Sequence, residues 1–174
     1  MKKTMLPAFC IMLLLSVSAF ALITANWKVK SGYEVKFTGG RISGLFESLT
    51  ANIQFDKTHP EQAKISAIID VNSLATGFFL KTNHAKEALG ADEHPAIKFV
   101  STSVSKSGNA YQAAGNLTLK GVTKPEVIRF TFDDKGEEGV FKGLLKVVTK
   151  EFGITKNGSP EEVTIELTIP VTKL

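Results

Sequence analysis

Three histidines, His59, His84 and His94, and a scatter of carboxylates are the residues whose types suit proton or metal chemistry. His59 and His94 each precede a proline, in Thr58-His59-Pro60 and Glu93-His94-Pro95, which places both in turns. Asp56, Asp70, Asp92, Asp133 and Asp134 fall at turns or strand ends, where a carboxylate accepts hydrogen bonds from nearby backbone N–H groups. A metal site made of His84, His94 and Asp92 would lack any HExxH-like spacing, and no Ser, His and Asp grouping stands at motif spacing. No metal ligand and no catalytic residue is therefore assigned. One cluster has another use: Lys81, Asn83 and His84 offer positive charge and hydrogen-bonding groups that could meet a phosphate or another polar head group. The rival reading is a helix-surface histidine beside a solvated lysine.

These three residues lie in the only long connection of a chain otherwise dominated by a period of two. From Asn26 onward, alternate side chains fall on opposite faces, most clearly in Val163, Ile165, Leu167, Ile169 and Val171, interleaved with Thr164, Glu166 and Thr168. Ile65 to Val71, Gly115 to Leu119, Ile128 to Phe132 and Phe141 to Val147 repeat the pattern. Turn chemistry punctuates it at Gly39-Gly40, Ser107-Gly108-Asn109, Asp133 to Gly136 and Lys156 to Ser159, and such short links favour antiparallel neighbours. Between Ile42 and Phe55 the phase slips by one around Glu47 and Ser48, read as a bulge or sharp bend in one long strand, with a short turn as the rival. Helix formers from Asn83 to Leu89, ended by Gly90, predict one short helix inside the long connection. About eight strands and one helix fit either a sandwich or a small closed barrel, and pattern alone leaves both open.

The N-terminus bounds where the protein works. Met1-Lys2-Lys3-Thr4, an apolar run from Met5 to Val17, and Ala19-Phe20-Ala21 form a secretory signal peptide over residues 1–21, leaving a single domain over 22–174. The run is short for a bilayer span, and no second run of about 18 apolar residues follows, so no permanent membrane span is expected and the product is periplasmic or secreted. The formal net charge of +4 falls to +2 without the two leader lysines, and no basic stripe remains to bind nucleic acid. Cys10, the single cysteine, lies in the leader, which excludes disulfides, Cys-ligated zinc and cysteine catalysis from the mature chain.

The inward faces mix two sizes of residue. Phe37, Phe46, Phe99, Phe130, Phe132 and Phe141 are bulky, whereas Gly44, Ala51, Ala67, Ala113, Gly115 and Gly143 are very small. A ligand-filled interior needs such a gap; the alternative is that the small residues relieve curvature and the core closes over them. If a channel exists, its candidate lining is completed by Ile53, Ile69, Phe78, Phe79, Leu117, Leu119, Leu145, Phe152, Ile165 and Leu167.

Several blocks carry a family resemblance. Gly44-Leu45-Phe46 followed by Ile53-Gln54-Phe55-Asp56 resembles a Gly-x-Phe strand and an Ile-x-Phe-Asp strand end. Ile69 to Gly77 resembles the strand and turn that come next. His94-Pro95-Ala96-Ile97-Lys98-Phe99-Val100-Ser101 is similar to Tyr-Pro-x-Ile-x-Phe-x-Ser, Tyr111 to Pro125 to Tyr-x-x-x-Gly-x-Leu-Thr-Leu-x-Gly-Val-Thr-x-Pro, and Phe152-Gly153 to a late Phe-Gly pair. In order, these blocks cover nearly the whole mature chain and resemble the YceI-like family of periplasmic polyisoprenoid-binding proteins. The resemblance implies an all-β fold: an extended, eight-stranded, antiparallel lipocalin-like barrel with one short helix in a long connection. It also implies an apolar channel for a long-chain isoprenoid or fatty lipid, such as an isoprenoid quinone, a polyprenyl phosphate or a fatty amide, with no other cofactor, and often a homodimer. The chain departs from the family where an Arg-Asp-x-His-Leu block is usual: Lys81-Thr82-Asn83-His84-Ala85 keeps only the histidine, and the segment to Pro95 is shortened.

The expected function is thus a binding or carrier protein without covalent chemistry. Its rivals are a lipid-modifying barrel enzyme, which would need an ionisable group inside the channel, and a structural or adhesive β-sandwich with a solid core.

Overall fold

Alternating β-branched, aromatic and small residues over long stretches favour extended chain, and a computed structural model, which describes residues 25–174, assembles them into one antiparallel sheet closed on itself. The expected leader over residues 1–21, with Cys10, lies outside the described residues. In chain order the elements are β1 (Asn26–Val29), β2 (Glu34–Gly39), β3 (Ile42–Phe46), β4 (Leu49–Gln54), β5 (Lys64–Asp70), β6 (Leu74–Ala75), α1 (Phe79–Leu89), β7 (Ala96–Ser107), β8 (Ala110–Leu119), β9 (Val122–Asp134), β10 (Glu138–Val148) and β11 (Glu162–Lys173).

Three pairs of short strands each act as one long strand. Along β11, β2 pairs with Thr164 to Thr168 and β1 with Val171 to Lys173. Next to them β3 pairs with β2, and β4 with β1. Beyond these, β5 pairs with β4 and β6 with β3. Counted this way the wall has eight strands in simple up-and-down order, and the pairing of β11 with both β1 and β2 closes it. Closure removes the sheet edges and eliminates the sandwich alternative. The 12-residue β11 is about 40 Å long at strand rise, so the barrel is extended along its axis.

The three breaks lie side by side, and each is built differently. Gly32 takes φ +83° between β1 and β2. Between β5 and β6, a 3-10 turn over Val71–Ser73 is capped by the Asp70 carboxylate, which accepts from Asn72 N–H at 2.8 Å. Between β3 and β4, at Glu47 and Ser48, the Tyr33 hydroxyl donates to the Glu47 carbonyl (2.8 Å) and accepts from Leu49 N–H (3.0 Å). Tyr33 thus supplies both backbone partners that the interrupted ladder has lost. The phase slip read from the sequence is this break, a bend within one composite strand.

At one end the barrel is shut by aromatic rings. Phe55 is fully buried and meets Tyr111, Phe130, Phe132 and Phe141 edge-on at 5.0 to 5.5 Å, while Trp27 meets Phe132 at 5.0 Å. The segment after β4 folds across this end. Trp27 Nε1 donates to the Phe55 carbonyl at 2.9 Å, and Lys57 forms a 2.7 Å ion pair with Asp134. The opposite end carries α1, the β2–β3 turn, the two-residue Lys120-Gly121 hairpin turn with both φ positive, and the segment between β10 and β11. The helix begins four residues before the expected start, at Phe79, and ends as expected with Gly90 in the left-handed conformation. Among the described residues no helix is long and apolar enough to cross a membrane.

Two stability measurements follow. Tyr33→Phe leaves the Glu47 carbonyl and Leu49 N–H without their partner at a partly solvated site, and is expected to cost about 1 kcal/mol, read as a lower urea midpoint at unchanged slope. The second concerns acid. Hydrogen bonds from the Thr58 hydroxyl and N–H hold the Asp56 carboxyl below the usual carboxylate range, and Lys57 and the Gly136 N–H do the same for Asp134. Both groups therefore add stability that is complete above the ordinary carboxylate pKa of about 4 and is lost as pH falls through their depressed values. Asp56→Asn is expected to flatten the decline of the urea midpoint below about pH 4, measured against wild type.

Candidate functional site: an apolar channel with a cationic mouth

The site is the barrel lumen, and the alternation of each strand decides what reaches it. Above the aromatic plug lies an inner chamber of about 170 Å³ whose lining is apolar throughout. Its floor is Phe130 and Phe141, and its walls include Leu49, Ile53, Ile65, Ile69, Phe99 and Leu117. Several inward-facing residues, among them Ile65, Ala67, Ile69, Ile128, Ile165 and Leu167, are only half-buried although they point to the axis. Inward side chains stay accessible only when the interior has room.

An outer chamber of about 470 Å³ continues from the inner one, sharing Phe46, Ile97, Leu119, Val147 and Ile165 as a common ring. The outer lining changes character. Arg41, Lys81, His84 and Lys156 join Ile42, Leu74, Leu89 and Ile154, and no carboxylate lines it. Helix α1 presents Lys81, His84, Ala85, Ala88 and Leu89 to this chamber, an i, i+3, i+4, i+7, i+8 stripe. Across the mouth, Lys156 in the segment after β10 pairs with Glu87 of the helix, and this pairing holds the Glu87 carboxyl below its ordinary range.

Phe46, Ile53, Ile69, Phe99, Leu117, Leu119, Phe130, Phe141, Leu145, Ile165 and Leu167 line the inner chamber, and Phe37 lines the outer one. Five candidates lie away from the channel lining and its mouth. Phe132 belongs to the plug, stacked on Phe141 at 4.4 Å, because it lies below the floor. Phe152 is fully buried in a 3-10 turn over Thr149–Phe152 and packs in the core without lining the channel. Phe78 and Phe79 lie on the outside, 67% and 77% exposed, since the helix begins at that point and turns its other face inward. Asn83 is half-buried and does not join Lys81 and His84 at the mouth.

Sequence reasoning missed Arg41 and Lys156. Both stood within or beside segments read only as turns, Gly39-Gly40 and Lys156 to Ser159, and nothing in a turn signal reveals which end of a barrel it decorates. The carboxylates behave as expected at three of five positions: Asp56, Asp70 and Asp134 each accept a backbone N–H two residues on. His94 is a packing residue, its ring lying on the backbone of Gly121.

The small residues divide into two groups. Ala51, Ala67, Ala113 and Gly143 line the inner chamber and make its volume. Gly44 and Gly115 instead lie beneath the rings of Phe37 and Phe99, where a Cβ would stand 2.3 and 2.4 Å from a backbone carbonyl. So the first group leaves a gap, whereas the core closes over the glycines of the second. At Gly143 a Cβ would meet only side-chain atoms, the nearest Leu167 Cδ1 at 3.1 Å. Gly44→Ala and Gly115→Ala are expected to destabilise by about 1–3 kcal/mol and Gly143→Ala by less than about 1 kcal/mol, as measured by thermal and urea unfolding.

A closed eight-stranded up-and-down barrel with an apolar lumen, plugged at one end and open at the other, defines the lipocalin-like class of small-molecule-binding architectures. The YceI-like domain model matches residues 21–172, and the chain belongs to that family. Protein YceI of Salmonella arizonae is 30% identical over 98% of this chain and 97% of its own length, and a UPF0312 protein of Photorhabdus laumondii is 28% identical over 98% and 96%. Among solved structures, BcnA of Burkholderia cenocepacia superposes with a TM-score of 0.78 at 24% identity, covering 83% of this chain and all of BcnA. A polyisoprenoid binding domain from Saccharophagus degradans superposes at 0.62 with 10% identity, over 87% and 99% of the two chains. At these identities the superpositions speak for the fold.

Proposed function

We propose that this protein is an exported carrier that holds one long-chain lipid in its channel with the head group at the mouth, and that it performs no covalent chemistry. One observation carries the proposal: a continuous channel that is wholly apolar in its inner part and cationic at its opening. A water molecule in the inner chamber finds no polar partner, so an alkyl or isoprenoid chain displaces nothing that is strongly held. Each methylene buried there contributes roughly 0.8 kcal/mol, enough over a long chain to exceed the cost of ordering it.

At the opening, Arg41, Lys81 and His84 form the group that would meet an acidic or polar head. Lysine and arginine favour a polyprenyl phosphate over a neutral quinone, since a phosphate offers them full charge as well as hydrogen-bond acceptors. The name of the Saccharophagus degradans neighbour points to the same ligand class. An enzyme acting on the lipid chain would need a proton-transferring group in the inner chamber, whose lining supplies only apolar side chains and glycine. The leader over residues 1–21 and the family suggest the periplasm as the place of work.

The test is extraction of protein isolated from its native cells and mass spectrometry of the extract. An intact long-chain lipid in near-stoichiometric amount is expected; a chain that yields none, purified repeatedly without detergent, overturns the proposal. Ala67→Leu with Ala113→Leu narrows the inner chamber and is expected to lower lipid content roughly tenfold or more while far-UV circular dichroism stays unchanged.

A further inference from the structure

Helix α1 opens with three large apolar side chains that neither the core nor the channel uses. Phe78, Phe79 and Leu80 are 67%, 77% and 69% exposed, consecutive, and adjacent to Lys81 at the mouth. Other exposed large hydrophobics of the wall, Ile68, Val100, Val127 and Leu144, are single outward-facing residues on four different strands. The local helix would be better served by polar residues. Phe78 occupies the N-cap with no side-chain hydrogen bond to the first turn, a place where Ser, Thr, Asp or Asn is favoured. A sequence that breaks a local rule on the surface, next to its functional opening, has a use for the residues that break it.

The charges beside the patch indicate what it meets. The Lys81 ammonium stands 5.2 Å over the Phe78 ring, so apolar patch and cationic rim form one surface. Among the described residues neither Arg41 nor Lys81 has a carboxylate within 4.0 Å. Exposed aromatics flanked by unpaired cations fit the interface of an anionic bilayer, where rings enter at the level of the head groups and cations meet lipid phosphates.

We propose that this end of the barrel docks on an anionic lipid bilayer, with Phe78, Phe79 and Leu80 entering the interface, Lys81 and Arg41 on the lipid phosphates, and the channel mouth facing the membrane. What passes through the mouth rests on the carrier reading; the docking does not.

The test uses the full chain, expressed so that it is processed as in its own cell, and co-sedimentation with two vesicle types: phosphatidylethanolamine with phosphatidylglycerol, and phosphatidylcholine alone. Phe78→Ser with Phe79→Ser supplies the missing N-cap hydroxyl, so the helix persists, and is expected to weaken partitioning roughly tenfold or more on either vesicle. Lys81→Gln and Arg41→Gln are each expected to weaken it about fivefold on the anionic vesicles only, as added salt should also do. Wild-type protein that ignores anionic vesicles overturns the proposal, whatever soluble protein the patch captures instead, and so does a double-serine variant that binds as wild type does. Extracting the same preparations separates this inference from the carrier reading. Protein that docks but yields no lipid sinks the carrier and leaves the docking; protein that yields lipid but never docks does the reverse.

Discussion

Closure of the sheet along β11 is the constraint from which the remaining features follow. Eight strands fix a circumference, and a circumference of that size leaves an interior that side chains can just fill or just leave open. Local side-chain volume then decides which happens at each height. Large rings converge at one end and shut it; alanines and Gly143 face one another in the middle and leave a lumen; at the far end the wall stops and α1 leans over the gap. Closure also requires strands to bend, and the three aligned breaks relieve that bending on one side of the wall. Tyr33 makes relief compatible with a satisfied backbone, since an interrupted ladder would otherwise leave a donor and an acceptor facing each other without partners.

Polarity is segregated along the axis as strictly as volume. Every group able to carry charge is excluded from the inner chamber, and the cations that approach the lumen do so from three separate chain segments, at Arg41, at Lys81 and at Lys156. Only the fold brings these segments to one rim. The Lys156–Glu87 pair joins the two sides of that rim, and being exposed it contributes little to stability.

Much of this was legible in the chain itself. Strict alternation in Val163 to Val171 and Phe141 to Val147 made the strands and their inward faces readable, because a period of two leaves no choice of face. The phase slip at Glu47 and Ser48 marked the bend, and Gly90 marked the helix end. Closure came only with the family resemblance and not from the local pattern, since pairing between the first and last strands depends on register and curvature that no local pattern encodes. Nor does a local pattern encode the difference between Phe130 and Phe132, two inward residues one repeat apart, of which one forms the channel floor and the other lies beneath it. Phe78 and Phe79 misled for a different reason: hydrophobicity implies burial only as a tendency, and both rings stay exposed where the helix starts.

The position of Trp27, the only tryptophan in the chain, gives the plug a second character. Its ring rests edge-on to Phe141, which is also part of the channel floor, with centroids 6.5 Å apart. Phe141 is thus shared between the plug and the chamber above it, and the indole stands one ring away from that chamber. The single indole therefore gives the barrel an optical probe of its own, whose emission reports how tightly the plug is packed.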